Sequence, residues 1–501
     1  MLPEYVRNTV LLATGVGIGV MVVGIATAWL VTMCSFPGRR MFESALILPL
    51  AVPAYVMAYA YTDFLQSSGP LQTWLRELTG WTVREYWFPD IRSLGGAITV
   101  MVFVLYPYVY LVARTAFLEQ SVGVLEVGRS LGHGAWGSFF RIALPLARPA
   151  IAAGTSLALM ETLADFGTVS YFAVPTFTTG IFRAWFSMGD PVAAAQLSAI
   201  LLGFVACVLL LERFTRGRAR YHNPSPRKRL PVCLLTGWRA AGAIATCVLP
   251  LVIGFLLPAL LLLRLTLSQG DQQFGDRFVV LARNSVTIAV IAAILAVALA
   301  LLMAYAARLQ PGPVTSSANR LASLGYAVPG TVIAVGILVP VSKLDHALDA
   351  FFTSTFGFSS GLLFTGGIAA LVYAYLVRFF ASALQTLEAG LARITPSMES
   401  AARSLGCSPA GVLKRVHAPL LTGSVLTAGL LVFVDVMKEL PATFAMRPFN
   451  FDTLAVQAYN LASDERLAEA STASLAIVAV GLVPLIFLSH SIAKSRARTE
   501  R

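Results

Sequence analysis

The chain has 501 residues, of which 57% are apolar and only 12% are charged, and its mean hydropathy is +0.75. Soluble domains usually carry about 25% charged residues, so this composition excludes an ordinary soluble protein and predicts an integral membrane protein. We interpret the net charge of +12 as a signal for membrane topology and nearby anionic lipid, rather than for nucleic-acid binding.

Apolar stretches long enough to cross a bilayer as helices, which takes about 20 residues, recur along the whole chain. Eleven are predicted, near residues 9–33, 43–65, 94–117, 149–173, 193–212, 238–265, 284–307, 321–342, 360–384, 419–445 and 470–490. The fold class is therefore predicted to be an all-α membrane protein with about eleven transmembrane helices. The first stretch is expected to be a permanent helix, because it is too long for a removable signal peptide and no small-residue cleavage site follows it.

The basic residues predict the orientation in the membrane, because segments rich in Lys and Arg resist translocation. A cytoplasmic C-terminus places 25 of the 37 Lys and Arg residues on the cytoplasmic side. An odd number of spans then places the short N-terminus outside.

The sequence contains an internal repeat with a nearly constant offset of 276 residues early in the repeat and 274 later. The matching segments are 7–10 (RNTV) with 283–286 (RNSV), 51–53 with 327–329 (both AVP), and 129–132 with 403–406 (both RSLG). A register held over so much of the chain indicates two copies of one module.

Each copy contributes five matching spans, and an odd number of spans per copy requires a linking helix if both copies are to face the same way. We predict a first half at 1–212, a basic cytoplasmic linker at 213–237, and a second half at 238–501 that begins with the linking helix 238–265. The two halves are thus predicted to be parallel repeats with a pathway between them.

A cytoplasmic segment between the third and fourth matching spans recurs in both halves. The first half reads EVGRSLG at 126–132 and the second reads ESAARSLG at 399–406. These segments resemble the EAA loop of ABC importer permeases, in which a short coupling helix docks on the ATPase subunit. The resemblance implies as ATPase-coupling residues Glu126, Arg129, Gly132, Glu399, Ala401, Ala402, Arg403 and Gly406.

The chemistry of these residue types suits such a role. Small residues permit close approach, a glycine permits a sharp turn, and an acidic residue near a helix start interacts favourably with the helix dipole. The first half departs from the family at Val127 and Gly128, and the second half places Glu399 one position early. We therefore expect the two halves to contact their ATPase copies unequally.

The segments after the EAA loops, together with the loop at 36–40 (FPGRR) and the helix at Pro53, resemble the fused ferric-iron permeases over nearly the whole chain. Members of that group commonly have another helix before the segment at Asn8. The resemblance implies a bacterial inner-membrane permease that moves ferric iron from an extracytoplasmic binding protein to the cytoplasm. Its mechanism would be ATP-driven alternating access.

Four carboxylates fall in two equivalent spans: Glu161, Asp165, Asp435 and Glu439. Charges inside a bilayer are costly and usually face a cavity or a partner. The members of each pair are four residues apart, which predicts that they share one helical face. One hypothesis is an acidic lining of the translocation path that suits a cation, without a fixed metal site.

The alternative is that these carboxylates are structural. In that case Lys438 neutralises a neighbouring carboxylate, and the remaining acids cap helix breaks near Gly167 and Pro441.

No phosphate-binding loop of the form GxxxxGK[ST] is present, because none of the five lysines follows a glycine. We therefore expect the chain to bind no cofactor and not to be an enzyme. ATP and Mg²⁺ would be used by two copies of a separate ABC ATPase subunit.

Other readings stay open at this point. Thiamine, a polyamine or a phosphonate are alternative cargoes, because a similar fold does not fix the cargo. A transporter driven by an ion gradient is an alternative class, although it has no need of paired EAA loops. An enzyme embedded in the membrane is not indicated, because no Ser/His/Asp or HExxH constellation is present.

Two further groups of residues were assigned by type. His133 and His417 are predicted to be interface or solvated residues rather than metal ligands. The aromatic residues of the 66–93 loop, including Trp74, Tyr86 and Trp87, predict an interfacial belt first and a docking surface for the binding protein second.

Overall fold

In the computed structural model the chain is mostly helical. The structure describes residues 1–119, 135–216, 233–268, 275–392 and 394–497. Within these ranges the strands are β1 (Cys34–Ser35) and β2 (Cys233–Leu234), which pair in parallel. The predicted all-α membrane fold is confirmed.

The helices of the first part of the chain follow in sequence order. They are α1 (Leu2–Met33), α2 (Arg39–Ala45), α3 (Ala54–Leu65), α4 (Pro70–Thr79), α5 (Leu94–Glu119), α6 (Ala135–Ser138), α7 (Leu144–Ala164), α8 (Gly167–Tyr171), α9 (Phe177–Phe182), α10 (Pro191–Arg216), α11 (Gly237–Leu251) and α12 (Leu257–Ser268).

The helices of the remaining chain are α13 (Asp276–Leu309), α14 (Pro313–Ser323), α15 (Gly330–Phe356), α16 (Ala369–Ala392), α17 (Pro396–Ser404), α18 (Pro409–Val412), α19 (Ala418–Met437), α20 (Pro441–Met446), α21 (Leu454–Ser463) and α22 (Leu467–Ala497). Short 3₁₀ turns lie at Leu48–Ala51 and Leu324–Ala327, and π-helical turns lie at Phe139–Ala143, Arg183–Ser187, Val252–Leu256 and Leu413–His417.

The described residues contain ten helices that are long and apolar enough to cross a membrane, and eleven spans if one bent pair counts as a span. The bent pair corrects the predicted span at 43–65, because its two parts, Arg39–Ala51 and Ala54–Thr79, meet at 90°. The bend lies at Pro53, whose backbone is extended (φ −60°, ψ 145°). Proline disfavours the α conformation in the residue before it, so the helix restarts after Pro53.

Two other predicted spans are too long at their C-terminal ends. The predicted spans 149–173 and 419–445 end as helices at Ala164 and Met437, and a short helix follows each break. Hydropathy does not detect these breaks because the residues on both sides are apolar.

The local structure repeats in register with the sequence. The 3₁₀ turns at 48–51 and 324–327 are 276 residues apart, and the π-helical turns at 139–143 and 413–417 are 274 residues apart. Asn8 donates its side-chain N–H to the carbonyl of Pro175 at 2.9 Å, and its repeat mate Asn284 donates to the carbonyl of Asp452 at 3.1 Å. Even irregular features are therefore duplicated.

One compact unit consists of Met1–Asp271 with Ala458–Arg501. Within it α1, α5 and α7 contact one another. Gly24 and Gly154 both lie against Val109, so the missing side chains let α1 and α7 approach α5 closely. The C-terminal helix α22 packs on α3 and α12.

The second compact unit is Gln272–Gln457. Its helices α13, α16 and α19 contact one another, and they match α1, α5 and α7 by the repeat offset. The compact units differ from the sequence halves, because the linking segment α11–α12 and the C-terminal helix α22 pack with the first unit. The predicted boundaries of the homologous halves stay a prediction.

The close approach at Gly154 yields a test. A Cβ there would lie 2.9 Å from Cα of Val109 and 3.0 Å from the carbonyl oxygen of Tyr108, and backbone atoms cannot move aside cheaply. We expect Gly154→Ala to destabilise the protein by about 1–3 kcal/mol through overpacking, measured as a lower thermal midpoint in detergent. Gly203→Ala is the matched control, because a Cβ at Gly203 meets nothing within 4 Å; equal midpoints for the two variants would contradict the prediction.

Candidate functional site

The first intramembrane acid, Asp165, lies just beyond the end of α7, where its backbone is extended (φ −67°, ψ 133°). Its Oδ1 accepts hydrogen bonds from the backbone N–H groups of Thr168 and Val169 at 3.0 and 3.2 Å. Its Oδ2 accepts one from the hydroxyl of Thr168 at 3.0 Å. The carboxylate thus satisfies N–H groups at the start of α8, which have no partner within the helix.

The matching acid in the second unit, Glu439, does the same for α20. Its two carboxylate oxygens accept hydrogen bonds from the backbone N–H groups of Ala442 and Thr443, each at 2.9 Å. The Thr443 hydroxyl donates a further one at 2.6 Å. Both acids are therefore helix caps.

The prediction that each acid pair shares one helical face is wrong. Glu161 and Asp435 lie within α7 and α19, but Asp165 and Glu439 lie after those helices end. The geometry is that of the structural alternative, and its other element is also present, because Lys438 forms an ion pair with Asp435 at 2.9 Å.

Glu439 also has a cationic partner that the sequence did not predict. Arg378 of α16 lies with its Nη1 3.4 Å from Oε1 of Glu439, and the two side chains are 10% and 1% exposed. The prediction that Arg378 is a cytoplasmic basic residue is therefore corrected, because its guanidinium is buried against this acid. A Cβ at Gly330 would lie 2.4 Å from Nη1 of Arg378 and 2.8 Å from Oε1 of Glu439, so the glycine makes room for the pair.

The first unit has no equivalent of this ion pair. The residues that match Arg378 and Gly330 are Val104 and Ala54. Among the described residues no Lys or Arg lies within ion-pair distance of Asp165, whose partners are the backbone and hydroxyl groups of α8. The repeat thus preserves the capping acid and changes its charge balance.

A preformed metal centre is not seen in the described part of the chain. No group of three or more His, Cys, Asp or Glu side chains lies close enough there to hold an ion.

The coupling segment of the second unit has the local structure expected of it. Residues 396–404 form α17, with Glu399 in its first turn. Ala401 is exposed, Ala402 is buried and Arg403 is exposed. Gly406 has φ +81° and ends the turn by a hydrogen bond to the carbonyl of Arg403, so it occupies the left-handed conformation that glycine adopts without strain.

The coupling segment of the first half lies outside the described residues. This applies to Glu126, Arg129 and Gly132, and also to His133.

A polar cluster holds α17 in place. Arg308, at the end of α13, donates from Nε to Oε1 of Glu399 at 2.7 Å and to the carbonyls of Leu391 and Ile394 at 2.5 and 2.6 Å. Nε2 of His417 lies 3.1 Å from the same Oε1. Burial alone would raise the pKa of Glu399, but the hydrogen bonds and charge of Arg308 hold that pKa below its ordinary value.

His417 is 2% exposed, so the expectation of a solvated histidine is wrong; it contacts α17 from the segment that leads into α19. On the opposite predicted side of the membrane, Trp74 and Trp87 are exposed. Tyr86 is held by a hydrogen bond to Gln72 at 2.7 Å.

Comparison with known proteins identifies the family. Residues 20–219 match the family model described as binding-protein-dependent transport system inner membrane component. The molybdenum transport system permease protein of Escherichia coli (strain K12) is 32% identical over 206 residues, which cover 39% of this chain and 87% of that relative.

The chain belongs to this family of inner membrane components.

Two further relatives of this permease describe its range of similarity. An Fe(3+)-transport system permease protein from Haemophilus influenzae is 28% identical over 497 residues, covering 97% of this chain and 89% of the relative. A sulfate transport system permease protein from E. coli K12 is 34% identical over 150 residues, covering 30% of this chain and 49% of the relative. The relatives are named as permease proteins, and ATP hydrolysis belongs to a separate ATPase.

Sequence reasoning missed two arginines of this permease. Arg378 stands among apolar residues in the middle of α16 and Arg308 stands at the end of α13. An arginine inside an apolar span is a signal in itself, because it needs a partner there. The partner, however, lies on another helix.

The buried pair of this permease yields a test. Removing Arg378 would leave Glu439 as an unpaired buried charge, and breaking such a pair costs about 3–5 kcal/mol. We expect Arg378→Met to lower the thermal midpoint strongly. Adding Glu439→Gln should restore much of it, because the amide still caps α20 and carries no charge.

Thermal unfolding of the purified variants in detergent measures both effects. A double variant as unstable as Arg378→Met alone would show that the charge is not the cause.

Proposed function

We propose that this permease carries ferric iron from an extracytoplasmic binding protein into the cytoplasm. The observation that carries the proposal is the extent of similarity to the Fe(3+)-transport permease, which covers 97% of this chain. The molybdenum and sulfate relatives match only 39% and 30% of it. A relative of the same two-half length is the better guide to the cargo of a two-half chain.

The working complex would contain this chain, two copies of an ABC ATPase that use ATP and Mg²⁺, and a binding protein. The family description supports dependence on a binding protein. The N-terminus would be outside and the C-terminus cytoplasmic, which places the coupling residues of both halves on the ATPase side. Met398 and Leu405 near the second coupling helix are exposed and supply apolar surface for docking.

Transport would proceed by alternating access. Closure of the ATPases on ATP would move the coupling helices and open the path outward to the docked binding protein. Hydrolysis would then reset the path inward. Rigid-body motion of packed helices is a common way to transmit such a movement.

The acids contribute unequally to a cation path. Glu439 and Asp435 are each paired with a cation, Arg378 and Lys438, so they add little net charge. Asp165 has no such partner in the described chain and Glu161 is only half-buried, so the first unit supplies the negative charge that an incoming cation would meet. Oxygen ligands of this kind suit hard cations such as ferric iron.

Molybdenum, carried as an oxyanion, is the second candidate. The molybdenum permease is 32% identical to this chain, and Arg378 and Lys438 would suit an anion better than a cation. An anion path would not be favoured by an unpaired acid at Asp165.

The test is uptake of radioactive ferric iron into proteoliposomes that hold this chain with its ATPase and binding protein, with radioactive molybdate as the parallel arm. We expect ATP-dependent iron uptake, and we expect Asp165→Asn to lower it by about tenfold, equivalent to about 1.4 kcal/mol. The amide still accepts the N–H groups of α8, so the change removes charge and keeps the cap.

Asp190→Asn is the matched control, because Asp190 caps the start of α10 through Val192 and Ala193 from an exposed position. Uptake of molybdate but not iron by the intact complex would keep the importer and overturn the iron assignment. Equal uptake by Asp165→Asn and Asp190→Asn would remove Asp165 from the path.

A further inference from the structure

The coupling helix α17 is joined to the rest of its unit by two kinds of connection. One is the chain itself, which passes through the glycine turn at Gly406 (φ +81°) on the way to α19. A glycine turn is a compliant joint, because glycine has the widest range of backbone conformations. The other is the cluster of Arg308, Glu399 and His417.

The cluster brings together segments that are distant in sequence. Arg308 binds Glu399 across 91 residues of chain and the carbonyl of Leu391 across 83. Leu391 belongs to the last turn of α16, where unpaired carbonyls carry partial negative charge. One guanidinium therefore joins the end of α13, the end of α16 and the coupling helix.

His417 adds the third long helix. It lies at the end of the π-helical turn that runs directly into α19, and its ring contacts Tyr305 of α13 at 5.6 Å between centroids. With its Nε2 3.1 Å from Glu399, the carboxylate of the coupling helix is held from α13 and from the start of α19. These are the three helices that contact one another in the second unit.

We propose that Arg308 is a positioning residue for energy coupling, which makes α17 move as one body with α13, α16 and α19. The proposal rests on the proposed function, because it assumes that an ATPase acts on α17. Charge-assisted hydrogen bonds to a partly buried carboxylate are strong and directional. The side chains of Arg308 and Glu399 are only 20% and 18% exposed, so water screens them weakly.

The repeat indicates that this device belongs to the second half. By the repeat offsets, Thr32 stands where Arg308 stands and Ala143 stands where His417 stands. The hydroxyl of Thr32 bonds to the carbonyl of Ala28 within its own helix. The residue types that form the cluster are thus absent from the matching positions 32 and 143 of the first half.

The test compares Arg308→Ala, Arg308→Lys and Glu399→Gln in the full complex with ATPase and binding protein. The readouts are ATPase co-purification, ATP hydrolysis and cargo uptake. We expect Arg308→Ala to keep the ATPase bound and hydrolysing within about twofold of the intact complex, and to lower the cargo moved per ATP by about tenfold. Arg308→Lys should recover part of this ratio, because an ammonium is one point charge and lacks the planar fork of the guanidinium.

A double-mutant cycle separates coupling from general damage. If Arg308 acts through Glu399, the Arg308→Ala and Glu399→Gln double variant should be no worse than Arg308→Ala alone. Arg320→Ala is the matched control, because it removes an exposed arginine from the same predicted side of the membrane. An unchanged ratio in Arg308→Ala, or uptake that falls only in proportion to the complex recovered, would overturn the proposal.

Failure of the iron assignment gives a different result. The intact complex would then move no iron, and the same ratio would be measured with molybdate as the cargo. Absence of any ATP-dependent uptake of either cargo by the intact complex, with its ATPase bound, would overturn the proposed function and this inference together.

Discussion

Backbone N–H groups that lose their helical partners inside a membrane must find other acceptors within the protein, because hydrocarbon offers none. This permease breaks a span twice, after Ala164 and after Met437, and restarts each with a short helix. Each restart exposes N–H groups, and a carboxylate side chain accepts them. The position of these acids follows from the break, and the break shapes the middle of each unit.

The same requirement is met with different charges in the two units. Glu439 is neutralised by Arg378, and Gly330 leaves the room that the guanidinium needs. Asp165 is stabilised by backbone and hydroxyl groups alone among the described residues. Duplication therefore conserved the backbone solution and released the charge to diverge, so one half can keep a local negative charge that the other half has cancelled.

Much of this architecture could be predicted from the sequence, and the reasons for the failures are local. Hydropathy located the spans because length and composition suffice for that, and the repeat offset predicted which turns recur. The helix ends at Asp165 and Glu439 were missed because a spacing of four residues fits a continuous helix face equally well. The ion pairs of Arg378 and Arg308 join residues 61 and 91 positions apart, and no local pattern encodes such a distance.

The arginines also show why residue type matters more than charge at such sites. Arg308 meets one carboxylate and two carbonyls that lie on different segments. Its planar group presents five donors in a fixed arrangement, whereas lysine offers a compact charge on a flexible stem. A joint that must keep several helix ends in one geometry while the helices move needs fixed directions as well as attraction. The same fork beside Glu439 has one acid to neutralise and a glycine to make space, so in that place the guanidinium balances charge, and at the end of α13 it sets geometry.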